Sequence, residues 1–259
     1  MQTSNCSGFG SKCQSSSSFR QYPYLSSMRS ILLILIFPSL AFAQGDKATQ
    51  YFAQGIKSYY EGDYERAIGS YSNAIYLKPD YMMAYFNRAK IYFDLGQDED
   101  AMADIEEVLK LDSNYVEALY LKADYVFGKK DYESAFEWAK RTVELSPQHV
   151  GALEIIGVVH FYRLEYNQAI LAYNQAISAE PENPSLYYKR ALVFFNAADF
   201  GEAISNLDEA ITLEPKFSQA FELRGKTYLK LSKKEKACAD FASSVDLGSA
   251  SAKELRMEY

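Results

Sequence analysis

Few side chains in this chain are of the types that do covalent chemistry, and none falls into a catalytic pattern. There are two histidines. His149 follows the helix-ending Pro147 and reads as a solvated turn residue, while His160 lies on an apolar helix face, where a buried, hydrogen-bonded imidazole is expected. Neither has a nucleophile placed beside it by spacing, and catalysis needs a positioned group with a partner. Cys6 and Cys13 lie in an N-terminal leader, so Cys238 is left without a disulfide partner or a Cys/His set for zinc. The acidic run Asp98, Glu99, Asp100, Asp104, Glu106 and Glu107 lacks the glycine-centred loop of a calcium site. At a helix start it reads as a solvated face favoured by the helix dipole. Lys230, Lys233, Lys234 and Lys236 gather at a turn and read as solvated. No catalytic activity, cofactor or metal is expected.

What the chain has in quantity is aromatic surface: 22 Tyr, 16 Phe and one Trp, 15% of its residues. Such side chains supply packing and most of the binding energy at protein interfaces. The net charge is −7. Lys12, Arg20 and Arg29 are the only charges in the first 43 residues, so the remainder holds 24 basic against 34 acidic residues. A body that acidic lacks the positive field a phosphate backbone requires, which excludes nucleic acid as the expected partner.

The elements that position these aromatics repeat. Stepping by 34 residues from Ala67 meets Ala101, Ala135, Ala169, Ala203 and Ala237, a coincidence on the order of one in a hundred thousand at ordinary alanine usage. Twelve residues before each stands a small residue (Gly55, Ala89, Ala123, Gly157, Ala191, Gly225). Four before that stands a large one (Tyr51, Tyr85, Leu119, Leu153, Tyr187, Phe221). Seven after each alanine comes a mostly small residue (Ala74, Val108, Thr142, Ala176, Ala210, Ser244), and the unit closes with Pro79, Pro147, Pro181, Pro215 or a serine. These spacings mark two amphipathic helices per unit. Breaks such as Glu61-Gly62-Asp63 separate them, with Asp63, Asp131 and Asp199 placed to cap the second helix. Small residues allow close approach of the paired helices, large ones fill the space opposite, and Trp138 is expected to pack between hairpins. One hairpin cannot bury both apolar faces, so each must stack on the next. Six gapless units follow: 48–81, 82–115, 116–149, 150–183, 184–217 and 218–251. The tail 252–259 stays in register, and a short capping helix is expected there.

On these columns the chain resembles the tetratricopeptide repeat (TPR) family over 48–251. Ser58 and His160 stand where the first helix usually carries an aromatic, and Ala139 and Leu207 where the second does. The resemblance implies an all-α, right-handed α–α superhelix of six helical hairpins whose first helices line a concave groove for a peptide or partner helix. The residues expected to project into it are Phe52, Phe86, Tyr120, Glu154, Tyr188 and Glu222. A second column, Tyr59, Phe93, Phe127, Phe161, Phe195 and Leu229, completes an aromatic floor or serves packing alone. One subset of the family grips terminal carboxylates of chaperones with Lys, Asn and Arg. Asn87 and Lys90 resemble part of that clamp, but Phe52 and Ile56 on one flank and Glu117 and Leu121 on the other replace the rest of it.

The N-terminus reads as an export signal. Residues 1–27 are Ser-rich and aperiodic, as in disordered segments. Residues 28–43 follow with a cation at Arg29, an apolar run over 31–40, and the small-x-small site Ala41-Phe42-Ala43 before Gln44. The run is shorter than the roughly 20 residues that a spanning helix requires, so no membrane anchor is expected after cleavage. The alternative is an organellar transit peptide over 1–43, although 31–37 is uniformly apolar rather than amphipathic. The expectation is thus an exported, periplasmic or secreted TPR domain over 44–259 that binds a protein or peptide, the alternative ligand being a glycan stacked on the aromatic groove.

Overall fold

Each 34-residue unit folds as two helices because its apolar residues recur at helical spacing on two separate stretches. The computed structural model describes residues 46–250 and Ala252. The twelve helices run in pairs: α1 (Lys47–Tyr60) with α2 (Tyr64–Leu77), α3 (Met82–Asp94) with α4 (Asp98–Leu111), α5 (Val116–Gly128) with α6 (Tyr132–Leu145), α7 (Val150–Tyr162) with α8 (Tyr166–Ala179), α9 (Pro184–Asn196) with α10 (Phe200–Leu213), and α11 (Ser218–Lys230) with α12 (Lys234–Asp246). The described residues hold no strand. The leader, the signal segment, the cleavage site and the capping segment beyond Ala252 lie outside the described residues. Ala252 itself is helical and fully buried.

The turn chemistry is local. Asp63, Asp131 and Asp199 each accept the backbone N–H three residues on, at 3.0, 3.1 and 3.2 Å, and so start α2, α6 and α10. Every first helix ends with one residue in the left-handed region: Gly62, Gly96, Lys130, Leu164, Ala198 and Ser232. Only the first two are glycines, so four turns carry a conformation that disfavours a β-carbon.

The alanine column Ala67, Ala101, Ala135, Ala169, Ala203 and Ala237 is wholly buried, and so is the column seven residues on. Where that second column is polar, its hydroxyl is satisfied within the stack. Thr142 Oγ1 donates to the Trp138 carbonyl at 2.9 Å, and Ser244 Oγ to that of Ser218 at 3.0 Å. A third buried column, Ala84, Ala118, Ala152, Leu186 and Ala220, has no counterpart among the sequence expectations.

Within a hairpin the register pairs residue i of the first helix with i+16 of the second. A β-carbon on Gly55 would lie 2.6 Å from the Tyr71 ring, on Gly157 2.9 Å from Tyr173, and on Gly225 2.6 Å from Phe241. Where the first helix has alanine instead, at Ala89, Ala123 and Ala191, the opposite residue is Ile105, Ala139 or Leu207. The departure at Leu207 is matched by Ala191 in place of glycine, whereas Ala139 faces only another alanine, Ala123. Tyr51 and Tyr85 do not fill these holes, since Tyr51 is 36% exposed and Tyr85 is half-buried.

In hairpins two, three, five and six, a cation one residue before the small position joins the hairpin to its neighbour, while Gln54 and Ile156 stand there in hairpins one and four. Arg88 donates to Asp104 of its own hairpin at 2.7 and 2.8 Å and to Ser72 Oγ of the preceding hairpin at 2.7 Å. Arg190 joins Asn206 and Asn174 at 2.7 and 2.6 Å in the same way, and Arg224 joins Asp240 and Asp208. Each partner lies sixteen residues before or after the arginine. First helices also touch directly, α5 against α7 and α9 against α11, and no comparable contact joins successive second helices. First helices therefore line the inner side of the curve.

Candidate binding surface

The inner side is built from the first-helix faces that the second helices leave uncovered. On it, the six residues expected to project into a groove occupy the joints between hairpins. The ring of Phe52 is 4.8 Å from that of Tyr81, Phe86 is 5.0 Å from Tyr115, Tyr120 is 4.4 Å from His149, and Tyr188 is 5.2 Å from Phe217. Each partner stands 29 residues on, at the N-cap of the next first helix. Tyr120 also fills the space a β-carbon on Gly151 would need. Phe86 is only 8% exposed and belongs to the core of hairpin two. The other three aromatics are half-buried, so they form a floor rather than freestanding anchors.

The acids of that column are held by cations. Glu154 Oε2 accepts from Lys189 Nζ at 2.8 Å, and Glu222 accepts from Lys226 Nζ at 2.5 Å and from Ser249 Oγ at 3.0 Å. The charge of Glu222, together with burial, pushes the Tyr188 hydroxyl pKa upward, burial being the larger cause. Asn87 hydrogen-bonds to the Tyr71 hydroxyl, whose pKa burial lifts to about 12. Lys90 Nζ lies 5.9 Å from the Phe86 ring centroid. Asn87 and Lys90 are thus engaged with their own hairpin and its neighbour.

The row four residues further along each first helix is Ile56, Lys90, Asp124, Val158, Leu192 and Lys226, each half-buried and 34 residues from the next, with Lys226 already paired to Glu222. At the turn rim above it, Tyr60 and Tyr162 are 74% and 58% exposed, and Tyr162 stacks on Tyr132 at 5.0 Å. Asp94 shares this rim, and burial raises its carboxyl pKa against the opposing pull of Lys90. A cavity of about 40 Å³ between α3 and α5, lined in part by Phe93, Leu121, Asp124 and Gly128, has room for a small group only.

Neither histidine assembles a catalytic set. His149 is not a solvated turn residue: its Nδ1 accepts the Ala152 N–H at 3.2 Å and caps α7. Burial lowers its pKa. His160 Nδ1 lies 2.6 Å from Glu165 Oε2, with its ring edge-on to Phe136. Among the described residues no cluster of His, Cys, Asp and Glu is arranged to hold a metal ion, and no helix is long and apolar enough to cross a membrane.

Sequence reasoning missed the stapling cations. Arg88, Lys122, Arg190 and Arg224 fall at 34-residue multiples and were visible as a column. Their partners became identifiable only once the i+16 register was known.

TPR models match residues 57–96, 157–197 and 188–252, together just over half of the chain, and a model described as anaphase-promoting complex, cyclosome, subunit 3 matches 96–175. No curated protein sequence matches the chain. Among solved structures, PilF of Pseudomonas aeruginosa superposes with a TM-score of 0.69 at 17% identity, covering 82% of this chain and 98% of its own. PilW, a widely conserved type IV pilus biogenesis factor, gives 0.67 at 15% over 80% and 97%. YrrB, a TPR protein with an unusual peptide-binding site, gives 0.63 at 18% over 73% and 98%. At these identities the likeness is one of fold.

Proposed function

The chain belongs to the tetratricopeptide repeat family, and on that premise we propose that it is a non-catalytic scaffold whose inner surface holds an extended peptide or a segment of a partner protein. The observation that carries this reading is the row Ile56, Lys90, Asp124, Val158, Leu192 and Lys226. It offers apolar, basic, acidic, apolar, apolar and basic contacts in turn over a floor of half-buried aromatics. Alternating chemistry at a fixed interval selects a sequence, because each mismatched polar group loses its water without gaining a partner. The peptide-binding site named for YrrB and the pilus biogenesis factor PilW support a protein ligand. The apolar run and Ala41-Phe42-Ala43 support action outside the cytoplasm, in a cell envelope or beyond it, after cleavage before Gln44.

The test is peptide selection by phage display against the whole chain, followed by hydrogen-exchange footprinting of the bound state. Protection centred on α1, α3, α5, α7, α9 and α11 is expected. Protection confined to the second helices overturns the proposal. The exposed Tyr60 and Tyr162 favour glycan as the second reading, since tyrosine rings stack on sugars. Pull-down on insoluble cell-wall material that is abolished by replacing both with Ala would establish it.

A further inference from the structure

The staple changes partner in one hairpin, and the change opens a groove. In hairpins two, five and six the residue sixteen after the stapling cation is Asp104, Asn206 or Asp240. In hairpin three it is Trp138, the only tryptophan of the chain. Lys122 Nζ lies 4.5 Å from the indole centroid and 3.5 Å from Glu106 of the preceding hairpin. A carboxylate here would close onto the cation; the half-buried indole instead becomes a floor. The resulting groove of about 290 Å³ opens on the outer side, between α4 and α6. Trp138 and Leu109 lie along it, with Lys110, Lys122 and Arg141 and a single acid, Glu106, around them. That volume approaches the roughly 300 Å³ at which small-ligand sites begin.

The rim is built to meet anions. Arg141 Nη2 donates to the Ser113 carbonyl at 2.6 Å and to Asn114 Oδ1 at 3.2 Å, which fixes the guanidinium. Among the described residues, its Nε and Nη1 have no hydrogen-bond partner. Lys110 pairs with Glu107 at 2.5 Å, but both side chains face solvent, and such a pair exchanges readily. The body carries 24 basic against 34 acidic residues, so a negatively charged segment is favoured where cations outnumber acids, as Lys110, Lys122 and Arg141 do against Glu106 along this groove.

We propose that this groove is a second binding site, which takes an acidic peptide segment carrying one large apolar side chain. The apolar group lies on Trp138, and flanking carboxylates meet Arg141 and Lys110. Trp and Arg are the residues that most often dominate interface energetics, and an Arg–carboxylate pair adds directional bonds. Because the groove lies among second helices, it is available when the inner surface is filled.

Trp138 reports its own occupancy. The full chain is titrated with a blocked peptide of one Phe flanked on both sides by glutamates, following tryptophan emission. A saturable change is expected. Affinity falls about tenfold when the Phe becomes Ala, and by a similar factor in Arg141→Gln. Lys110→Gln, which alters only exposed groups, weakens binding about threefold. Val158→Glu on the inner surface leaves it unchanged. The proposal is overturned if no saturable change occurs, if a lysine-flanked peptide binds equally well, or if both cation variants bind as the native chain does. Tripolyphosphate binding as tightly as the peptide also overturns it, because the site would then be a patch for anions in general.

Discussion

The ring of Phe241 occupies the place a β-carbon on Gly225 would need, with Cε1 2.6 Å from that position. The same relation joins Gly55 to Tyr71 and Gly157 to Tyr173, whereas hairpin five solves the problem with Ala191 against Leu207. Gly225→Ala should therefore destabilise the fold by about 1–3 kcal/mol, the usual cost of overpacking. Adding Phe241→Leu should recover a large part of that loss by recreating the pair found in hairpin five. Urea midpoints of the two single variants and the double variant measure the coupling. Strictly additive losses would contradict the pairing.

Arg224 links two acids of unequal burial. The Asp240 side chain is 8% exposed and that of Asp208 54%. Asp240→Ala leaves a half-buried guanidinium without its bidentate partner and should cost about 3 kcal/mol. Asp208→Ala should cost less than about 1 kcal/mol, because solvent screens that pair. Equal losses would show that burial does not govern the staple.

Most of the fold was legible in the sequence, because small residues at a fixed period report helix contacts directly. The alanine column predicted the fully buried line from Ala67 to Ala237, and Asp63, Asp131 and Asp199 were recognisable as caps. The candidate surface was less legible. Phe86 and its column look like groove residues when helix periodicity alone is considered. Their partners, Tyr81, Tyr115, His149 and Phe217, close the same 34-residue unit and cap the next first helix, and a contact across 29 residues leaves no local periodic signal. The same holds for Asp104 and Arg88, whose meeting depends on hairpin register. Tyr85 and Phe86 illustrate the consequence: Phe86 is the more buried of the two, so Phe86→Ala should lower stability more than Tyr85→Ala.

His149 makes stability sensitive to mild acid. Its Nδ1 must be unprotonated to accept the Ala152 N–H, and burial holds its pKa below the ordinary value of 6.5, with Glu117 opposing the shift. A pKa lowered by folding means that the unfolded state binds the proton more readily. The contribution is therefore full above pH 6.5 and is lost as pH falls from there through the folded-state value. Asp94, raised by burial, works in the opposite sense. His149→Asn keeps a capping side chain and should flatten the decline between about pH 7 and 5, whereas His149→Ala should lose about 1 kcal/mol at pH 7. Thermal midpoints across that range provide the check, and an unchanged slope in His149→Asn would assign the effect elsewhere.

Leu164 holds a φ of 60° while 70% exposed, at the turn position that is Gly62 in the first hairpin. The left-handed conformation costs an L-residue about 1–2 kcal/mol, partly offset for glycine by its greater freedom when unfolded. Leu164→Gly should raise stability by about 0.5–1 kcal/mol, and Gly62→Leu should lower it by a similar amount or more. Denaturant midpoints decide. A loss in Leu164→Gly would mean that the leucine makes a stabilising contact that outweighs its backbone strain.

The most direct test of recognition by the inner surface uses a selected peptide and two half-buried apolar positions of the row from Ile56 to Lys226. Val158→Glu and Leu192→Glu each place a charge where the peptide's apolar side chains should lie, and Leu171→Glu places one at a position 55% exposed on the second helix α8. Peptide affinity is measured by calorimetry on all three, with circular dichroism confirming equal helicity. Binding should weaken at least tenfold, roughly 1.4 kcal/mol, in Val158→Glu and Leu192→Glu and stay unchanged in Leu171→Glu. Undiminished binding by both inner variants, with loss in Leu171→Glu, would contradict the account and move the recognition surface to the outer helices.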